Sequence, residues 1–162
     1  MIGEMIAAQA ETWIGVPFVW QGRVRAGCDC KGLVAGVFAE LDRPEAQSIA
    51  ALAGDYGDRV PTDRLRAGLA ELFDEVKERQ PVLRPFDGLR VSGAQDDRAA
   101  DGRMPGDILL CVLKGAAQHL AISAPTALRP DRAIEAMPSG PGCVRPALWP
   151  AHRVDSIWRV KS

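Results

Sequence analysis

Cys30 stands where a reactive cysteine would be expected. It lies in Gly27-Cys28-Asp29-Cys30-Lys31-Gly32-Leu33-Val34, followed by the apolar series Leu33, Val34, Val37, Phe38 and Leu41. That spacing predicts a helix with one buried face. Asp29 has the type and place of an N-cap, which puts Cys30 on the first helical turn. Unpaired backbone N–H groups and the positive end of the helix dipole favour a thiolate there. The thiolate is the nucleophilic form of cysteine, and it needs a proton-transfer partner. The chain has only two histidines. His119 opens the apolar run Leu120-Ala121-Ile122 and so belongs to a strand, a rigid mount for an imidazole. His152 falls between Pro150 and Arg153, in a turn. The expected chemistry is nucleophilic attack by Cys30 with His119 as its base.

The elements that must hold these residues follow from the apolar periods. Ile2, Met5, Ile6 and Trp13 suit a first helix ending near Gly15. Residues 16–22 form a rigid aromatic loop, since Pro17 excludes further helix. The helix that starts at Cys30 is expected to run to about Asp42. Residues 44–60 read as a short helix around 48–53, closed by Gly54 and Gly57. Thr62 is the expected cap of a helix with a core face of Leu65, Leu69, Leu72, Phe73 and Val76. Residues 80–106 are rich in Pro, Gly and Asp and read as an extended loop.

After Gly106 the pattern becomes short apolar runs, at 107–113, 118–123, 133–137, 143–148 and 154–160. Short connections between them predict antiparallel pairing. Helices first and strands second give an α+β fold, N-terminal helices packed on an antiparallel sheet.

With 162 residues, 47% apolar and 25% charged, the chain can bury one domain's core without covalent staples. Residues 1–162 are expected to form one domain, with a helical and loop insertion at about 43–103. A net charge of −1 and no basic block argue against a nucleic-acid partner. Mixed-sign runs such as Asp96-Asp97-Arg98 read as solvated loop. No apolar run reaches membrane-spanning length. The first residues, with Glu4 and no basic leader, do not read as a secretory signal, so synthesis in the cytosol is expected. That compartment disfavours disulfides among Cys28, Cys30, Cys111 and Cys143. Their spacing also lacks the paired Cys-x-x-Cys of structural zinc sites.

Several segments together resemble the NlpC/P60 cell-wall peptidases, a papain-like superfamily of cysteine hydrolases. They are Trp13-Ile14-Gly15-Val16-Pro17-Phe18-Val19-Trp20-Gln21-Gly22, Cys28-Asp29-Cys30-Lys31-Gly32-Leu33-Val34, Pro105-Gly106-Asp107-Ile108-Leu109-Leu110 and His119-Leu120-Ala121-Ile122. The matching stretches cover residues 10–42 and 104–140. The Cys-Asp-Cys variant is most similar to the branch found in tailed phages and gene transfer agents, whose members are proposed to open peptidoglycan from the tail.

The resemblance implies Cys30 as nucleophile, His119 as general base and Glu135 in the third polar position, on the strand after the histidine. It implies a peptidoglycan stem peptide as substrate, phage-like tail proteins as partners, no metal or organic cofactor, and delivery in a particle tail. Trp20, Gln21 and Asp29 are the residues expected to face substrate. Three residues depart from the family pattern. Phe18 stands where tyrosine is common, Lys31 replaces a small residue, and Glu135 is unusual in its position. They leave two alternatives open: a structural tail-tip component with a weakened site, and amidase or acyl-transfer chemistry on another amide.

Overall fold

The computed structural model describes residues 1–52, 61–77 and 101–162. Helix α1 (Ile2–Glu11) is followed by a small hairpin of β1 (Arg23–Val24) and β2 (Gly27–Cys28). Three helices come next: α2 (Cys30–Glu40), α3 (Glu45–Ala51) and α4 (Thr62–Leu72). The remaining strands are β3 (Phe73–Glu75), β4 (Ile108–Leu113), β5 (Ala116–Ser123), β6 (Arg132–Ala136), β7 (Val144–Leu148) and β8 (Val154–Val160). They make one antiparallel sheet in the order β3-β8-β4-β5-β6-β7. The architecture is α+β, with the N-terminal helices on one face of that sheet.

Strands β4 to β7 form a meander. The first turn, Lys114-Gly115, has positive φ at both residues, 51° and 80°. A two-residue turn of that hand matches the right-handed twist of its strands. Strand β8 then returns to β4, pairing Leu109 with Ile157.

Alternation along the strands divides the core into two layers. Ile108, Leu110, Leu120, Ile122 and Ile134 pack with Leu33, Val34, Val37 and Phe38 of α2. Leu109, Cys111, Ala121, Ala133, Trp149 and Ile157 form a smaller cluster. Each Val, Leu, Ile or Phe side chain among them contributes about 1.5–3 kcal/mol when fully buried.

The structure corrects several expectations. Helix α1 stops at Glu11 rather than near Gly15, and Met5 is exposed, although Trp13 beyond the helix is buried. Helix α2 ends at Glu40 and is not one-faced: every residue from Gly32 to Phe38 is buried. It lies between the sheet and the other N-terminal elements, so both sides meet protein.

Thr62 does not cap α4. It is the first helical residue, and its hydroxyl donates to the Ala117 carbonyl at 2.9 Å. Phe73 is buried as expected but belongs to a strand, where β3 pairs it with Val160. The short helix expected at 48–53 begins earlier, at Glu45. Gly54, Gly57, residues 80–100 and the Asp96-Asp97-Arg98 run lie outside the described residues.

Candidate active site

The nucleophile turn is built from backbone contacts that its residue types permit. Asp29, buried and in extended conformation, caps α2: its Oδ1 accepts the Gly32 N–H at 2.7 Å. Its Oδ2 accepts the Gln21 N–H at 3.0 Å, which ties the preceding loop to the helix start. Gly32 is required by close approach. A Cβ there would lie 1.7 Å from the Gly22 carbonyl oxygen.

The aromatic loop is stitched on both sides. Phe18 N–H donates to Gly142 O at 2.7 Å, and Val19 N–H to Cys28 O at 3.0 Å. Arg25 anchors the β1–β2 hairpin to both first helices, through Glu40 at 2.6 Å and the Thr12 carbonyl at 2.6 Å. Cys30 is thereby the first residue of a helix whose N-terminal turn is held rigidly.

His119 and Glu135 are brought together on neighbouring strands β5 and β6. His119 lies two residues before Ala121 and Glu135 two after Ala133, so both follow the alternation of the smaller core layer. The register of β4 against β5 shifts between Cys111 and Val112, directly beside His119. Bulges of this kind re-aim side chains. His119 Nε2 is 2.8 Å from Glu135 Oε2. Trp149 Nε1–H donates to the same oxygen at 2.9 Å, and Arg145 Nε–H to Oε1 at 3.2 Å. With Nε2 engaged by Glu135, Nδ1 is the imidazole nitrogen left for the thiol.

Electrostatics separate the cysteines. Burial pushes the Cys30 thiol up, but the facing His119, Lys31 and the Leu120 backbone outweigh it, and its pKa falls below the ordinary value. Burial pulls His119 down, yet Cys30 and Glu135 more than compensate and raise it to about 9. Burial likewise opposes ionisation of Glu135, while His119, Trp149 and Arg145 hold it below the usual carboxylate range. Cys28 is pushed up to about 12 by burial and by Asp29 and Cys30. Cys111 is raised well above the ordinary range by burial and by Glu135. These opposite shifts favour a thiolate–imidazolium pair backed by a carboxylate. That pair can attack a carbonyl carbon and then protonate a leaving amine.

Over 99% of its length the chain matches the NlpC/P60 domain of the peptidoglycan hydrolase SagA, with a TM-score of 0.53, 21% identity and 98% of that chain covered. The chain has the NlpC/P60 fold. It also matches the peptidoglycan hydrolase RipB from Mycobacterium tuberculosis, at a TM-score of 0.52 and 16% identity, spanning 65% of that longer chain. No protein-family model matches the chain, and no curated protein does.

In this NlpC/P60 fold Cys30 and His119 open into a cleft of about 310 Å³. Phe18, Trp20 and Asp29 wall one part, Leu113, Lys114 and Gln118 another, and Met137, Pro138 and Ser139 a third. Trp20 is half exposed and faces the cleft rather than the core. Gln21, expected at the cleft, is not in its lining; it serves through its backbone N–H on Asp29. His152 is exposed in a short 3-10 turn and borders a different hollow.

Sequence reasoning missed Trp149 and Arg145. A signal for Arg145 existed, because a hairpin closed by Pro138-Ser139-Gly140 sets Glu135 directly across from Arg145. Opposite charges at facing positions mark such pairs. Trp149 lies beyond the end of β7, and no local pattern ties it to Glu135.

Proposed function

We propose that this chain is a cysteine peptidase of the NlpC/P60 family that hydrolyses an amide bond in the stem peptide of peptidoglycan. The observation that carries this reading is the buried His119–Glu135 contact of 2.8 Å behind a cysteine at the start of a capped helix. The fold shared with the NlpC/P60 domain of a peptidoglycan hydrolase supports the substrate class.

In this mechanism the Cys30 thiolate adds to the amide carbonyl, and the oxyanion is met by the Cys30 backbone N–H at the helix start. The imidazolium of His119 gives its proton to the departing amine as the C–N bond breaks, leaving a thioester on Cys30. Water then attacks the thioester, with His119 taking its proton, and the free acid and thiolate are restored. Glu135 holds the imidazole orientation and its positive charge throughout. The Cys28-Asp29-Cys30 variant supports carriage in a phage-like tail, with tail proteins as partners.

The test is digestion of purified peptidoglycan and of a γ-D-glutamyl-diamino-acid peptide, read by mass spectrometry against Cys30→Ala. New amine ends with wild type alone support the hydrolase reading. No product from any stem peptide would favour the structural tail-tip alternative. The delivery reading is tested separately, by immunoblot of purified particles from the host.

A further inference from the structure

Glu135 is pulled by three donors in two directions. Its Oε2 accepts from His119 Nε2 at 2.8 Å and from Trp149 Nε1–H at 2.9 Å, while Arg145 Nε–H reaches Oε1 at 3.2 Å. Trp149 also lies beside the imidazole itself, with ring centroids 5.4 Å apart and planes inclined by 35°. It therefore touches both His119 and Glu135, yet it is absent from the lining of the cleft before Cys30. Trp149 is firmly placed. Its side chain is buried in the smaller core layer, and its backbone N–H donates to the Asp131 carbonyl at 2.9 Å. The Arg153 guanidinium covers the indole, 4.8 Å from its centroid. Arg145 is held less closely: it stands on β7, at the edge of the sheet, with its side chain 31% exposed.

We propose that Trp149 is a positioning residue that keeps the Glu135 carboxylate on His119 against the pull of Arg145. The inference rests on the peptidase reading above and adds to its machinery a residue that does not touch substrate. A guanidinium is shaped to take both oxygens of a carboxylate in one fork. Arg145 holds only Oε1, and a turn of the Glu135 side chain would give it Oε2 as well, at the expense of His119. The indole N–H resists that turn, because it is fixed in the core and bonds to the oxygen that His119 uses. Neighbouring aromatic rings favour defined offsets, so the indole also limits the tilt of the imidazole. A tryptophan that only filled the core would affect stability and leave the charge on His119 alone.

Histidine NMR titration reads this role without requiring turnover. The chain has two histidines, and exposed His152 serves as an internal control. The His119 ring of the wild type should titrate at about 9. Trp149→Phe keeps an aromatic ring and removes the N–H. Replacement of Trp149 by 3-benzothienylalanine keeps the shape of the indole and puts sulfur in place of the N–H, so it folds even if Trp149→Phe does not. Trp149 is uncharged, so neither change takes a charge from the site, and a lowered midpoint reports that Glu135 has left the imidazole. Both should lower the His119 midpoint by about one pH unit and leave His152 unmoved. An unchanged midpoint would make Trp149 a packing residue. A raised one would mean that the indole competes with the imidazole for Oε2. Either overturns the proposal.

Arg145→Gln tests the competition. It should raise the midpoint in the wild type by removing a cation, and raise it further in the position-149 variant, where it also lets Glu135 return to His119. Equal rises in both backgrounds overturn the proposal. On a stem peptide, loss of the indole N–H should lower kcat about tenfold and leave KM within about twofold, since the reacting groups are misplaced and the cleft lining is intact. A raised KM with unchanged kcat overturns the proposal and leaves the peptidase reading standing. If the wild type cleaves no stem peptide, the peptidase reading fails, while the His119 midpoints still decide the role of Trp149.

Discussion

His119 Nε2 and Glu135 Oε2 meet at 2.8 Å with neither side chain more than 4% exposed. A carboxylate so buried would ordinarily hold its proton, and it stays ionised because His119, Trp149 and Arg145 all donate to it. Its charge therefore stands behind the imidazole. Glu135→Ala should lower turnover on a stem peptide by about 10² to 10⁴, the scale lost when a triad's orienting carboxylate is altered. Glu135→Gln should be milder, because an amide oxygen can still accept from the imidazole N–H in place of Oε2, although the charge and the acceptor for Arg145 are lost. His119→Ala should sit near the floor set by Cys30→Ala, and His152→Ala should turn over as wild type does. A fully active Glu135→Ala beside a dead His119→Ala would move the third role elsewhere, with Gln118 the next candidate.

The opposite shifts of Cys30 and His119 set the pH range of the ion pair. Cys30 lies below the ordinary thiol value and His119 is raised to about 9. Turnover should rise from the acid side as the thiolate forms, hold through neutrality, and fall near pH 9 as the imidazolium is lost. The same shift has a stability consequence. A histidine whose pKa is raised on folding contributes stability that is full below its ordinary value of about 6.5 and lost as pH rises through the folded value. The Tm difference between wild type and His119→Ala should therefore shrink between pH 6.5 and 9. A difference that grows over that window would contradict the charged imidazole.

Thiol reactivity should single out Cys30. Cys28 is pushed up to about 12 and Cys111 well above the ordinary range, both through burial, whereas Cys30 is lowered. Timed alkylation of the folded protein, followed by peptide mass spectrometry, should find Cys30 modified long before the other two. Equal labelling of Cys30 and Cys111 would speak against a special role for Cys30.

Local chemistry made the helix start legible, because Asp29, Cys30 and the apolar series after them lie within a dozen residues. The last strand was equally legible, since an apolar run bounded by a turn needs no distant partner to be recognised. Strand β3 was not. Leu69 and Phe73 are four residues apart, so helical periodicity continues smoothly into a segment that pairs with Val160, far along the chain. Glu135 was reached through family resemblance and not through spacing, and its donors Trp149 and Arg145 come from the following strand and the segment beyond it. The two-sided burial of α2 was hidden for a similar reason. Its Ala and Gly positions are as compatible with a polar neighbour as with the elements that cover them.

Gly32 offers a test of how tightly the nucleophile turn is fixed. An added Cβ would meet Gly22 O at 1.7 Å, Gly22 C at 2.7 Å and Arg23 Cα at 3.1 Å. All three are backbone atoms, which cannot swing aside as a side chain could. Helix propensity alone favours Ala over Gly by about 1 kcal/mol. Overpacking against fixed backbone costs about 1–3 kcal/mol or more, and the displaced turn would also strain the Asp29 cap, a contact of about 1 kcal/mol. Gly32→Ala should therefore be destabilising by about 1–3 kcal/mol, a Tm loss of several degrees for a chain of this size. Because the same displacement shifts Cys30 relative to His119, its alkylation at neutral pH should slow as well. If Gly32→Ala were more stable than wild type and Cys30 alkylated at the same rate, the 20–23 loop would be yielding freely, and the turn would not be the rigid mount inferred for the nucleophile.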